Sequence, residues 1–196
     1  AVKYDLLVIS DEVYEFLLFD GAKHHPLALL PGMWERTYTI SSAGKTFGLT
    51  GWKTGWVCAP ANLSKAVRLV HQYVTFSVAT PLQEAVAEGL GRLETYVPEF
   101  QSLYKSKRDY FYAGLQKLGF DFNIPRGTYF MMVPIQSKTK KTDVEFAMEL
   151  VKDRKVAVVP PSAFYLQSKQ GQQYLRFCFA KKEETLSAAL SNLKGL

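Results

Sequence analysis

Apolar positions along this chain follow two different periods, and the changes between them mark out its elements. Leu6–Ile9 is a short continuous apolar run, the pattern of a strand covered on both faces in a parallel sheet. Thr37–Ile40 and Gly55–Ala59 are two more β-prone runs, separated by a loop rich in small residues from Ser41 to Gly51. From Asn62 the spacing turns helical: Leu63, Ala66, Val67 and Val70 recur on one face, with Asn62 as the N-cap. A second helix is predicted after Pro81, and a long one over Val97–Leu118, stopped by Gly119. Beyond it the pattern predicts strands at Thr128–Val133, Val156–Val159 and Tyr174–Phe179, and helices at Asp143–Asp153 and Glu183–Leu193. Thr142 followed by Glu145 is a capping-box signature for the first of those helices.

Strands alternating with helices give an α/β or α+β chain. The boundary falls inside or just after the long helix, which divides the chain into residues 1–96, a connecting helix 97–118, and residues 119–196. No repeat or low-complexity tract interrupts it.

Composition narrows the function classes. The chain has 196 residues, 47% of them hydrophobic and 21% charged, enough to bury a core. The net charge of +6 is spread out, and its densest group, Lys138, Lys140 and Lys141, is expected in a surface loop. A basic stripe with interleaved aromatics is missing, so no nucleic-acid partner is expected. An anionic cofactor or substrate is reason enough for some of the charge. Cys58 and Cys178 lie in apolar, strand-like stretches and read as reduced core thiols, which favours a cytoplasmic setting. No apolar run reaches the roughly 20 residues of a membrane span, and no membrane partner is expected. Ala1–Ile9 lacks a basic region ahead of its apolar residues, so it does not read as a signal peptide. His24 and His25 read as solvent-facing loop residues, and no His/Cys spacing suggests a metal.

Candidate chemistry concentrates in Ser41-Ser42-Ala43-Gly44-Lys45-Thr46-Phe47-Gly48-Leu49-Thr50-Gly51-Trp52-Lys53. Taken alone this is a small-residue loop with two lysines eight apart, and solvated lysines are the common outcome. Yet small residues let a backbone approach a ligand, and hydroxyls with ammoniums are what a phosphate needs. Asp11-Glu12-Val13-Tyr14 follows the first strand directly, where an acid can simply cap the next turn. In Tyr174–Phe179, alternation puts Leu175, Phe177 and Phe179 on one face and Arg176 with Cys178 on the other. An arginine so placed is as often merely solvated as functional.

The Ser-Ala-Gly-Lys-Thr-Phe opening and Thr-Gly-Trp-Lys ending of the lysine segment resemble the cofactor-lysine signature of fold-type I aminotransferases that depend on pyridoxal 5'-phosphate (PLP), in the branch acting on kynurenine, methionine and glutamine. That resemblance implies that Lys45 forms the Schiff base, and that Ser42 and Lys53 bind the cofactor phosphate. Many aminotransferases carry arginine at the last position; Lys53 is a point charge in place of a fork. By the same resemblance Asp11 pairs with the pyridine nitrogen and Tyr14 with the phenolic oxygen, while Arg176 grips the substrate α-carboxylate. Weaker likenesses assign Tyr129, in Gly127-Thr128-Tyr129-Phe130, to the substrate side. Tyr73 and Phe76 resemble a loop that reaches the neighbouring subunit's site in family homodimers, although core packing explains either aromatic equally well.

The resemblance covers nearly the whole chain but only the second half of a full-length member, and the half alone is expected to be inactive. It implies an α/β fold: the C-terminal part of the PLP-binding large domain, mainly a parallel sheet with helices, followed by a small α+β domain. The expected reaction moves an amino group from an apolar, aromatic or sulfur-containing amino acid to a 2-oxo acid. A cysteine-conjugate β-lyase on the same fold, and a non-catalytic aminotransferase-like domain, remain as alternatives.

Overall fold

Three strands build the first sheet in the computed structural model, which describes every residue from Ala1 to Leu196. β1 (Val8–Asp11) pairs in parallel with β2 (Thr37–Ser42), and β2 pairs antiparallel with β3 (Gly55–Cys58). Register sets Asp11 opposite Ile40, Ile40 opposite Val57 and Ser42 opposite Gly55. Paired residues share a face, so Asp11, Ile40, Ser42, Val57 and Gly55 all belong to one side of the sheet. β1 starts two residues later than its apolar run suggests. Leu6, Leu7 and Ile9 are exposed, and β1 has a strand neighbour on one edge only.

Parallel neighbours usually need an α-helical crossover. Between β1 and β2 there is none, only two 3-10 turns at Leu27–Leu29 and Trp34–Arg36. The crossover anchors itself by burying Leu17, Phe19, Ala28 and Met33. After β2 come α1 (Ala43–Thr46), α2 (Ala61–Val74) and α3 (Thr80–Leu90). The N-cap of α2 is Pro60, with Asn62 two residues inside it and no side-chain cap. Proline fixes the entry angle there, and Ser64 Oγ donates back to the Ala59 carbonyl at 2.9 Å. α3 carries Pro81 in its first turn, where the missing N–H has no helical partner to lose.

Clustering of contacts divides the chain into two units, Ala1–Phe100 and Gln101–Leu196, with the division inside α4 (Leu93–Lys117). α4 ends on Gly119 at φ +79, with Phe120 N–H bonded to the Leu115 carbonyl and Gly119 N–H to that of Gln116. That is the paired closure a left-handed glycine permits. Lys138, expected in solvent, donates instead to the Leu118 carbonyl at 2.6 Å, an orphan acceptor of the same helix end.

In the second unit β4 (Phe130–Pro134) pairs antiparallel with β5 (Tyr174–Cys178), alongside α5 (Asp143–Arg154) and α6 (Glu183–Asn192). Leu175, Phe177 and Phe179 are buried, as the alternation requires, and Phe177 meets the rings of Phe111 and Phe120. The Thr142–Glu145 capping box is present. The strand expected at Val156–Val159 reduces to one bridge between Val159 and Arg176. Lys155, left-handed at φ 57, and the donor-less Pro160 and Pro161 bracket it too tightly for a ladder. The two cysteines are not core thiols: Cys58, at the outer edge of the sheet, is exposed, and Cys178 is half-buried. No helix is long and apolar enough to cross a membrane.

Candidate active site

β2 runs straight into the lysine segment. Ser42 closes the strand and the single turn of α1 follows, its Ala43 fully buried and hydrogen-bonded through N–H to the Thr54 carbonyl at 3.1 Å. Leu49 N–H returns to the Ala43 carbonyl at 3.2 Å, folding the loop back on itself. Two glycines permit this closeness. A β-carbon on Gly44 would lie 3.3 Å from Thr50 Cα, and one on Gly55 would lie 2.7 Å from the Ser41 carbonyl oxygen. Lys53 turns the chain into β3 with φ +54, a left-handed conformation that is unusual for a residue with a side chain.

These contacts shape a cavity of about 620 Å³. Ser42, Lys45 and Lys53 line it together with Thr50, and α2 contributes Ser64, Arg68 and His71. Three obligate or near-obligate cations face this space, and no carboxylate does. Its electrostatics suit an anion. Arg68 and His71 carried no motif in the sequence; only the position of α2 beside the cavity reveals them.

Asp11 ends β1 on the same face as Ser42 and is exposed, its Oδ1 accepting the Val13 N–H at 3.3 Å. Tyr14 is half-buried in the turn that follows. Neither lines the cavity. The turn between them is fastened on both sides. Glu15 accepts a hydrogen bond from buried Ser41 at 2.6 Å, and Glu12, 6% exposed, meets the crossover. His24 Nε2 lies 2.6 Å from Glu12 Oε2, while Ser10 Oγ and Leu27 N–H reach Oε1 at 2.9 and 3.1 Å. His24 is therefore no solvated loop residue. Burial pushes the Glu12 carboxyl up; the bonds from His24, Leu27 and Ser10, with the His24 charge, outweigh it and bring it below its ordinary value.

Phe76 stands outside the cavity, just past α2, exposed and left-handed at φ +67. For a bulky residue that backbone is strained.

In the second unit, Arg176 projects from β5 with its guanidinium 4.9 Å from the Phe130 ring centroid and 5.3 Å from that of Phe164. Two aromatic faces hold the plane of the fork and leave its edge for a planar acid. Tyr129 packs edge-on to Phe130, with centroids 6.3 Å apart. Burial, and then Cys178 and Tyr129, push the Tyr104 phenol up, which keeps a neutral hydroxyl beside them. Phe164 and Tyr104 had no signal in the sequence, being single aromatics outside any motif.

Comparison with known proteins bears on this arrangement. The family description "Aminotransferase class I and II" matches residues 1–193. The chain belongs to this family. It is 45% identical to a kynurenine–oxoglutarate transaminase of Dictyostelium discoideum, over 96% of this chain and 48% of that protein. It is 40% identical to the human kynurenine–oxoglutarate transaminase 3, over 100% and 47%. Among solved structures, N-succinyldiaminopimelate aminotransferase from Mycobacterium tuberculosis superposes with a TM-score of 0.94 at 41% identity, over 98% of this chain and 50% of that one. A methionine aminotransferase from Escherichia coli gives 0.90 at 39%, over 100% and 51%. The chain thus spans about half the length of the relatives it matches, and its α/β architecture is theirs.

Proposed function

We propose that the full-length protein is a PLP-dependent aminotransferase that moves an amino group from an apolar, aromatic or sulfur-containing amino acid to a 2-oxo acid. The observation that carries this reading is the cavity lined by Ser42, Lys45 and Lys53 together, whose lining includes no Asp or Glu. Its donor set fits the cofactor: a primary amine for an aldehyde, and a hydroxyl with a second ammonium for a phosphate. Its volume of about 620 Å³ lies in the range of small-molecule sites. The closeness of Gly44 and Gly55 to their neighbours means that larger residues there would deform its walls.

When bound, PLP supplies an electron sink for the amino acid's α-carbon. The chain's own residues do the rest. Ser42 and Lys53 would hold the phosphate. Asp11, on the sheet face of Ser42, would keep a proton on the ring nitrogen, as a carboxylate beside a pyridinium does, and Tyr14 would orient the ring through its phenolic oxygen. Lys45 would anchor the cofactor and would serve as the general base that takes the amino acid's α-proton and the general acid that returns it. Arg176 binds the substrate α-carboxylate through its fork. The strained, exposed Phe76 supports a homodimer in which this residue meets the neighbouring copy, and Tyr129 belongs to the substrate's surroundings.

Borohydride reduction of the full-length protein with PLP, followed by peptide mapping, tests the central assignment. The label is expected on Lys45. A label on Lys53 with none on Lys45 would sink it.

A further inference from the structure

The segment carrying Asp11 and Tyr14 is held by a buried carboxylate that the proposed chemistry does not use. Glu12 follows Asp11 directly, and strand alternation sends the two side chains to opposite sides of the sheet end. Asp11 is exposed; Glu12 is buried and faces the crossover. There it receives three donors from three stretches of chain: Ser10 Oγ within β1, His24 Nε2 in the connecting loop, and Leu27 N–H at the first 3-10 turn. Its own N–H bonds to the Ile40 carbonyl at 2.9 Å, tying the same residue to β2. The crossover has no α-helix to supply regular backbone bonds. One carboxylate takes over part of that work, and an ionised one, which only accepts, suits donors at both of its oxygens.

Asp11 has little else to hold it. The hydrogen bond recorded for its carboxylate is the 3.3 Å contact with Val13 N–H. Tyr14 lies two residues beyond Glu12, and the Glu15–Ser41 bond fastens the far side of the turn. Glu12 and Glu15 are thus the two fixed points between which Asp11 and Tyr14 are presented. Glu15 binds a neighbouring hydroxyl; Glu12 binds the whole crossover.

We propose that Glu12, fixed by His24, is a positioning residue that sets the aim of the Asp11 carboxylate at the cofactor ring. The proposal rests on the reading of Asp11 given above. It concerns a residue that touches neither cofactor nor substrate. Removing the Glu12 charge frees the crossover at Leu27 and lets the end of β1 shift, and the ring nitrogen then loses a well-placed counter-charge.

The test compares the full-length wild type with Glu12→Gln and His24→Gln, the second leaving Glu12 itself intact. Each is titrated by absorbance for the pH at which the bound cofactor's spectrum changes. Each cofactor-free form is titrated with PLP for its dissociation constant, and borohydride labelling of Lys45 is mapped in parallel. Both variants should keep the label on Lys45, bind PLP about tenfold more weakly, and shift the spectral transition by at least half a pH unit in the same direction. Glu12→Asp, which keeps the charge, should recover part of the shift. Variants with wild-type spectra and affinity but lowered melting temperature would overturn the proposal, showing Glu12 to be a structural anchor alone. Wild type with no label on Lys45 would overturn the reading beneath it as well, so the two failures are distinct.

Discussion

Gly55 lies so close to Ser41 that a β-carbon on it would come within 2.7 Å of the Ser41 carbonyl oxygen. The contact joins the start of β3 to the end of β2, one residue before Ser42. No flexible side chain can yield there, since the atom in the way is backbone. Gly55→Ala should therefore cost about 1–3 kcal/mol of stability, as overpacking does, and weaken PLP binding together with it. Gly51, whose β-carbon would meet nothing within 4 Å, is the control. Gly51→Ala should leave the denaturant midpoint and the PLP dissociation constant nearly unchanged. Equal losses in the two variants would mean that the tight join plays no part in shaping the cavity.

Lys53 combines a strained backbone with a charge facing the cavity. The two roles separate by substitution. Lys53→Gly relieves a left-handed conformation worth roughly 1–2 kcal/mol, which offsets glycine's entropic cost of roughly 0.5–1 kcal/mol. The cofactor-free protein should then be no less stable. PLP affinity should still fall about tenfold or more, because a charge-assisted hydrogen bond contributes about 1.5–3 kcal/mol. Calorimetry on the cofactor-free form and a fluorescence titration with PLP measure the two separately. Unchanged affinity would remove Lys53 from the phosphate site.

How far the sequence made this site legible depended on whether a residue acts through local or long-range contacts. Ser42, Lys45 and Lys53 lie within one short segment, where small residues and hydroxyls are visible in the sequence, and the structure brings all three to one cavity. The apolar face of β5 was readable because alternation is local, and so was the Thr142–Glu145 cap. His24 was not readable as a partner of Glu12, because twelve residues and an irregular crossover separate them. Arg68 and His71 look like ordinary residues of an amphipathic helix until the fold sets α2 beside the cavity. The expected strand at Val156–Val159 failed because period alone ignores the prolines beside it. Cys58 was misjudged because an apolar strand is buried only where something packs on both its sides.

Arg176 lies over the rings of Phe130 and Phe164 rather than paired with an acid. A guanidinium held by two rings is oriented without having its charge neutralised. Arg176→Ala should lower kcat/KM for amino-acid substrates by about 2–4 kcal/mol in transition-state terms, chiefly through KM. PLP affinity should stay within about twofold. Amines lacking a carboxylate provide the control, since they have nothing for the fork to hold. Equal losses for both substrate kinds would make Arg176 a structural residue.

Glu12 also predicts an acid limit to stability. Its carboxyl lies below the ordinary value in the folded protein, so the folded form holds that proton less tightly than the unfolded chain does. The stabilisation is therefore complete above the unfolded value, about 4.3, and is lost as pH falls through the lower folded one. Glu12→Gln should be less stable than wild type at neutral pH. The gap should narrow as the pH is lowered below about 4. Urea midpoints across pH 3–7 check this, and a gap that widened in acid would contradict the sign.

Substrate preference follows from which charges are available to a side chain. An acidic amino donor carries a second carboxylate and needs a second cation to hold it. In the second unit the surroundings of Arg176 are aromatic: Phe130 and Phe164 flank it, and Tyr129 packs on Phe130. The Lys138 charge is taken up by the end of α4, and Lys141 pairs with Glu149 at 2.7 Å. Aromatic walls favour flat or flexible apolar side chains, which gain from ring contact and bring no charge to desolvate. With the full-length protein, methionine, phenylalanine, glutamine and kynurenine should all exceed aspartate in kcat/KM by at least tenfold. Replacing Phe130 with alanine should reduce the preference for phenylalanine and kynurenine more than that for glutamine, whose amide relies less on stacking. A donor panel read by oxo-acid production decides the matter, and aspartate outpacing methionine and phenylalanine would show that a cation completes the pocket after all.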